Sequence, residues 1–124
     1  MPSQVVDEAW HNFILFTKDY EVFCNGSLRR FLHHVPAEAM ESKITAQIGI
    51  KRTWDMCCFK EDIDPKSPAR LPLLFAIDTD LKIENGFHYS LDCVKSNDNY
   101  YCASDIGCIS TDSRRSASQG CLCD

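Results

Sequence analysis

Two sets of side chains in this chain of 124 residues could bind a metal ion. The first set is Asp7 and His11, followed by the neighbouring pair His33 and His34. Asp7 and His11 are four residues apart, so a helix places them on adjacent turns of one face. There the carboxylate can orient the imidazole and fix its tautomer, as carboxylates do around many metal sites.

A second element that folds back on this helix would bring His33 or His34 towards His11. Consecutive side chains on a helix diverge by about 100°, so only one of the pair is expected to join. The pattern predicts a metal site with ligands among His11, His33 and His34, and with Asp7 supporting His11. Two alternatives stay open: a structural Asp–His pair with surface histidines, and acid–base catalysis.

The second set is a group of five cysteines in the last 32 residues, namely Cys93, Cys102, Cys108, Cys121 and Cys123. Four thiolates would complete a tetrahedral zinc site, which can supply folding energy where large apolar side chains are few. The spacings C-x8-C, C-x5-C and C-x-C lack the C-x2-C pair of common zinc motifs. Zinc ligation is the leading prediction, with disulfides and free thiols as alternatives.

The three remaining cysteines are predicted to be structural. Cys24 follows His11 by 13 residues, which places it roughly 140° around a straight helix and away from the histidine. Cys58 shares an apolar helix face with Ile44 and Ile48, whereas Cys57 turns away from that face.

Helical periodicity dominates the first two thirds of the chain. Residues 5–24 place seven side chains on one arc, namely Val6, Trp10, Phe13, Ile14, Thr17, Tyr20 and Cys24. Asn25-Gly26 then predicts a stop, Ser27 can cap a short helix over 27–34, and Pro36 closes it. Further helices are predicted over 38–60 and within LPLLFAIDTDLKI, where a strand is the minority interpretation.

The predicted fold class is therefore all-α. We expect a small bundle of three to four helices over residues 1–90, with an irregular, cysteine-rich segment over 91–124 packed on it or tethered to it.

Composition narrows the classes of partner. The net charge is −5 and the basic residues are scattered, so nucleic acid is not expected as a ligand. The longest apolar run, LPLLFAI, is far below the roughly 20 residues that span a bilayer. The first residues do not have the pattern of a signal peptide, which predicts a cytoplasmic protein with reduced thiols. A protein partner remains open.

Several motifs together suggest a family. VDEAWHNFILFTKDY, followed by FC and RRFLHHVP, resembles the glycine-rich domain-containing protein-like family, with its Asp-x-x-Trp-His core, Thr-x-x-Tyr step and downstream cysteine. RLPLLFAID, GFHYSLDC and YCASDIGC look like segments of small bacterial relatives. The resemblance implies no particular reaction, and the chain has only five glycines.

The predicted function is metal binding, with zinc as the ion, in a structural or accessory protein. One alternative is a protein-interaction module with structural cysteines and histidines and no metal. The other is a thiol- or metal-dependent enzyme with its site near His11. No phosphate-binding loop, nucleophile elbow or dinucleotide fingerprint favours the enzyme.

Overall fold

The computed structural model describes residues 1–35, 43–92 and 101–109. Over these residues the protein is mostly helical, which confirms the predicted class in outline. The helices are α1 (Gln4–Ile14), α2 (Thr17–Phe23), α3 (Lys43–Lys60), α4 (Leu73–Asp80) and α5 (Ala103–Cys108), with a π-helical turn at Cys24–Leu28. Two short strands, β1 (Tyr89–Ser90) and β2 (Tyr101–Cys102), pair in parallel, and this small sheet was not predicted.

The helix predicted over 5–24 is two helices. It breaks at Phe16, whose backbone leaves the helical region at φ −84° and ψ 65°. The break changes the phase of the second half, so that Thr17 is exposed while Tyr20 and Cys24 are buried. Thr17 was expected on the buried arc, and that expectation is wrong because a single straight helix was assumed.

The short helix predicted over 27–34 is absent. Helix α2 instead runs into the π-helical turn, which contains Asn25 and Gly26 and ends at Arg29 in the left-handed region, with φ 55°. After Arg29, residues 29–35 have no regular secondary structure. The Asn25-Gly26 pair wrongly predicted the end of the helix, because the backbone remains helical through both residues.

The hydrophobic core lies where α3, α4, α5 and β1 meet. Its buried members are Trp54, Cys58, Ile63, Phe75, Tyr89, Ala103 and Ile106. The ring of Phe75 is in edge-to-face contact with Trp54 and with Tyr89, with ring centroids 5.0 Å apart in both pairs. The helix predicted over 38–60 is present as α3, and residues 36–42 lie outside the described residues.

Helix α5 approaches the loop after α3 very closely. A Cβ atom on Gly107 would lie 2.3 Å from the carbonyl oxygen of Pro65, so the approach requires glycine. The indole Nε1–H of Trp54 donates to the same oxygen at 3.0 Å. Ala103 and Ile106 thus pack into the core of the helical domain, and they belong to the segment over 91–124 that was expected to pack on that domain or to be tethered to it.

Candidate functional site

Asp7, His11 and His34 form a cluster of possible metal-binding side chains. One ligand atom from each residue lies within 4.8 Å of the others. The Nε2 atoms of His11 and His34 are 2.7 Å apart, and Nδ1 of His11 is 3.5 Å from Oδ2 of Asp7. This confirms the expectation that His11 meets a single member of the His33–His34 pair, and it leaves the role of the cluster open.

Helix α1 provides two of the three residues. Ser3 caps the helix by accepting a hydrogen bond from the backbone N–H of Val6, and the helix then places Asp7 and His11 one turn apart. The His11 side chain is 50% exposed and that of Asp7 is 24% exposed, so solvent reaches the cluster.

His34 lies in the irregular segment that follows the π-helical turn. The Tyr20 hydroxyl donates to the carbonyl oxygen of Leu32 at 2.5 Å, and the Tyr20 and Phe31 rings are in edge-to-face contact at 5.4 Å. His33 lies against Phe31 instead, with ring centroids 5.0 Å apart. The two histidines thus have different neighbours in a segment without regular secondary structure, whereas the prediction had separated them by their divergence on a helix.

The short distance between the two Nε2 atoms restricts their protonation. One imidazole must donate and the other accept, because two N–H groups cannot face each other at 2.7 Å. Asp7 lies beside the other nitrogen of His11 and favours a proton there. That tautomer makes Nε2 of His11 the acceptor and Nε2 of His34 the donor. A cation could replace the shared proton and bind both nitrogens.

Aromatic rings support this part of the fold. Trp10 makes edge-to-face contacts with Phe13, Tyr20 and Phe23, with centroids 5.8 to 6.2 Å apart. Trp10 is only half-buried, whereas Tyr20 is 2% exposed. Burial raises the pKa of the Tyr20 phenol, and the neighbouring Cys24 thiol raises it further. Tyr20 therefore keeps its proton and acts as a hydrogen-bond donor at neutral pH.

A second carboxylate, Asp78, has an important position that the sequence did not reveal. It is 1% exposed and accepts hydrogen bonds from the Ser3 hydroxyl and from the backbone N–H groups of Gln4, Val5 and Phe87. Burial alone would raise the pKa of Asp78, but these hydrogen bonds hold it below its usual value. In the sequence, the only indication of this role was an acidic residue on the apolar face of the segment LPLLFAID.

The cysteines do not provide a thiolate cluster among the described residues. Cys102 and Cys108 are both disulfide-bonded, and a disulfide sulfur is not the thiolate that binds zinc. In this state the two residues do not offer thiolates to a zinc ion, and zinc binding by the five-cysteine set stays a prediction. Cys93, Cys121 and Cys123 lie outside the described residues.

The three other cysteines of the described residues, Cys24, Cys57 and Cys58, are free thiols. Cys24 and Cys58 are fully buried, as predicted, and Cys57 is partly buried. Burial raises the pKa of Cys58 to about 11, with Cys57 as the next cause. A thiol that stays protonated at neutral pH is neither a good nucleophile nor a ready metal ligand.

Helices α1 and α4 also border an apolar groove of about 390 Å³. Its lining is Val5, Val6, Ala9, Trp10, Phe13, Ile77 and Leu81. Within the described ranges, no helix combines the length and the apolar character that a bilayer-spanning segment needs.

Comparison with known proteins identifies a family. No curated protein and no solved structure matches the sequence. The resemblance to the glycine-rich domain-containing protein-like family is wrong, because the matching family model is a different one. That model is described only as UCP032817-like, and its description names no reaction. It matches residues 1–106, and the chain therefore belongs to the UCP032817-like family.

Proposed function

We propose that the cluster of Asp7, His11 and His34 binds a divalent transition-metal ion, with zinc as the first ion to test. The observation that supports the proposal is the approach of the two Nε2 atoms to 2.7 Å beside a carboxylate. The residues come from two parts of the chain, 23 positions apart for the histidine pair. Imidazole and carboxylate are common ligands of zinc.

In this proposal His11 and His34 bind the ion through Nε2, and Asp7 orients His11 through Nδ1. Two nitrogen ligands at about 2.0–2.1 Å from a tetrahedral zinc ion are roughly 3.3 Å apart. The two rings would therefore have to separate by only a fraction of an ångström from their observed contact. The ion would take the place of the proton between the rings, and in a neutral His34 that proton would move to Nδ1, which leaves both Nε2 atoms free to bind the ion.

An ion held in this way keeps open coordination positions, because the site lies at the surface. Water or a donor from a partner would fill them. The ion would also tie the segment that contains His34 to helix α1. This arrangement favours the structural or accessory role over the enzyme, since the cluster lies at the surface and half of the His11 side chain is exposed to water.

The test uses protein purified without an affinity tag and titrated with zinc. We expect one zinc ion per chain, loss of this binding in His11→Ala, and an affinity about 10–100-fold lower in Asp7→Asn, as is typical for residues that orient a ligand. His33→Ala is the matched control, because His33 is adjacent to His34 but contacts Phe31. Its zinc affinity should equal that of the wild type.

Equal zinc binding by the wild type and His11→Ala would refute the proposal. The second candidate function, an interaction module without metal, would then be favoured. The observation that supports this second function is the apolar groove between α1 and α4.

A further inference from the structure

We infer that Tyr20 is a positioning residue for this site, because it holds the irregular segment in the place where His34 reaches His11. The identity of the bound ion rests on the proposed function. The contact between the two histidines, in contrast, is a property of the metal-free protein and can be measured by itself.

Tyr20 contacts residues close in sequence to each of the two histidines. Its ring packs edge-to-face against Trp10, the residue before His11, with centroids 5.8 Å apart. Its hydroxyl donates to the carbonyl oxygen of Leu32, two residues before His34, at 2.5 Å. Tyr20 is 2% exposed, so a well-packed side chain links helix α1 to the segment that follows Arg29.

The segment needs such an anchor. Residues 29–35 have no regular secondary structure, and in the described part of the chain they make no backbone-to-backbone hydrogen bond with another element. Among the described residues, the contacts that hold them in place include the Tyr20 hydroxyl, the contact between Tyr20 and Phe31, and the His11–His34 pair itself. Phe31 is 45% exposed, so burial of its ring holds the segment only weakly.

The contributions of the Tyr20 hydroxyl and of the Tyr20 ring can therefore be tested separately. Tyr20→Phe keeps the packing against Trp10 and Phe31 and removes only the hydrogen bond to Leu32. The chain offers a matched control in Tyr89, which is also buried and whose hydroxyl donates to the carbonyl oxygen of Pro2 at 2.9 Å. Tyr89→Phe loses an equivalent hydrogen bond far from His34 in the sequence.

The first measurement is made without metal, by proton NMR. The wild type and Tyr89→Phe should show a cross-peak between the rings of His11 and His34, whose centroids are 4.4 Å apart. Tyr20→Phe should lose most of that cross-peak and should exchange the amide protons of residues 31–35 faster. The second measurement is the zinc titration, in which Tyr20→Phe should bind about 10-fold more weakly or worse, and Tyr89→Phe should match the wild type.

The outcomes separate the two proposals. An unchanged cross-peak in Tyr20→Phe overturns the positioning role, whether or not zinc binds. A cross-peak that is lost only in Tyr20→Phe, in a protein that binds no zinc, supports the positioning role and rejects the metal. If Tyr20→Phe loses its helical circular dichroism, the wild type decides instead: its Tyr20 hydroxyl proton should exchange slowly with water and give a cross-peak to a backbone proton of Leu32 or His33. A hydroxyl proton that exchanges too fast to be observed would then overturn the role.

Discussion

The protein contains two clusters built around an aspartate, and their surroundings are opposite. Asp78 is buried and accepts four hydrogen bonds, three of them from backbone N–H groups. Asp7 is partly exposed and faces a single imidazole nitrogen at 3.5 Å. Asp78 lies at the beginning of helix α1, and Asp7 belongs to the first turn of that helix.

The difference distinguishes a carboxylate whose hydrogen bonds stabilise the fold from one that stays accessible to a ligand. The hydrogen bonds of Asp78 come from two separate positions in the chain, Ser3–Val5 and Phe87, and tie both to helix α4, so they hold the fold together and leave little room for a ligand. At Asp7 the neighbours are side chains that can rotate, and solvent reaches them. We therefore expect changes at Asp78 to affect stability, and changes around Asp7 to affect binding.

The largest effect is expected for Asp78→Ala. The change removes the acceptor of four hydrogen bonds and leaves the buried or partly buried donors on Ser3, Gln4, Val5 and Phe87 without this partner. We expect the free energy of unfolding to fall by about 3–5 kcal/mol, because each buried unsatisfied group costs about 1–3 kcal/mol and the losses are not fully additive. Urea unfolding measures this. Asp80→Ala, on the exposed side of the same helix, is the control and should change stability little. A loss below about 1 kcal/mol at Asp78 would contradict the structural role.

The same residue gives a pH signature. The folded state lowers the pKa of Asp78, so the unfolded chain takes up the proton first as the pH falls. The stabilisation from this carboxylate is therefore complete above its ordinary pKa of about 3.9 and is lost as the pH falls through the lower, folded value. The difference in unfolding free energy between the wild type and Asp78→Asn should shrink between about pH 5 and about pH 2. A difference that stays constant over this range would show that the charge of Asp78 contributes nothing.

An intermediate effect is expected for Gly86→Ala. The new Cβ atom would lie 2.7 Å from Cβ of Asp78 and 3.1 Å from Cβ of Ile83, which forces the loop away from the buried carboxylate. We expect a loss of about 1–3 kcal/mol, typical of overpacking. Gly49→Ala is the matched control, because Gly49 lies within helix α3 and its Cβ would meet nothing within 4 Å. That change should stabilise the protein by up to about 1 kcal/mol through helix propensity. Equal effects at the two glycines would reject the close approach.

The smallest effect on stability is expected for His34→Ala. His11, its partner, is half exposed, so the metal-free protein should lose less than about 1 kcal/mol. Zinc binding should nevertheless fall to the level of His11→Ala. His33→Ala should change neither quantity. A large loss of stability together with unchanged zinc binding would place this cluster in the same structural class as Asp78.

The secondary structure and burial predicted from the sequence are right at some residues and wrong at others. The periodicity of apolar side chains correctly predicted helices in the regions of α1, α3 and α4, and it placed Cys24 and Cys58 in buried positions. It failed at Phe16, where the first helix breaks, and at Asn25-Gly26, where the chain continues into a π-helical turn. Such local deviations depend on contacts with other parts of the chain, which a periodic pattern does not contain.

By itself the sequence determined the helical class and the pairing of Asp7 with His11, because residues four apart on a helix are neighbours whatever surrounds them. Only the tertiary structure decided that His34 and not His33 meets His11, because the outcome depends on an irregular segment anchored by Tyr20. It also decided the role of Asp78, whose partners Ser3 and Phe87 are 75 and 9 residues away. The hydrogen bonds that Asp78 accepts from distant backbone N–H groups cannot be predicted from residue types and their spacing, because every residue except proline carries such a group.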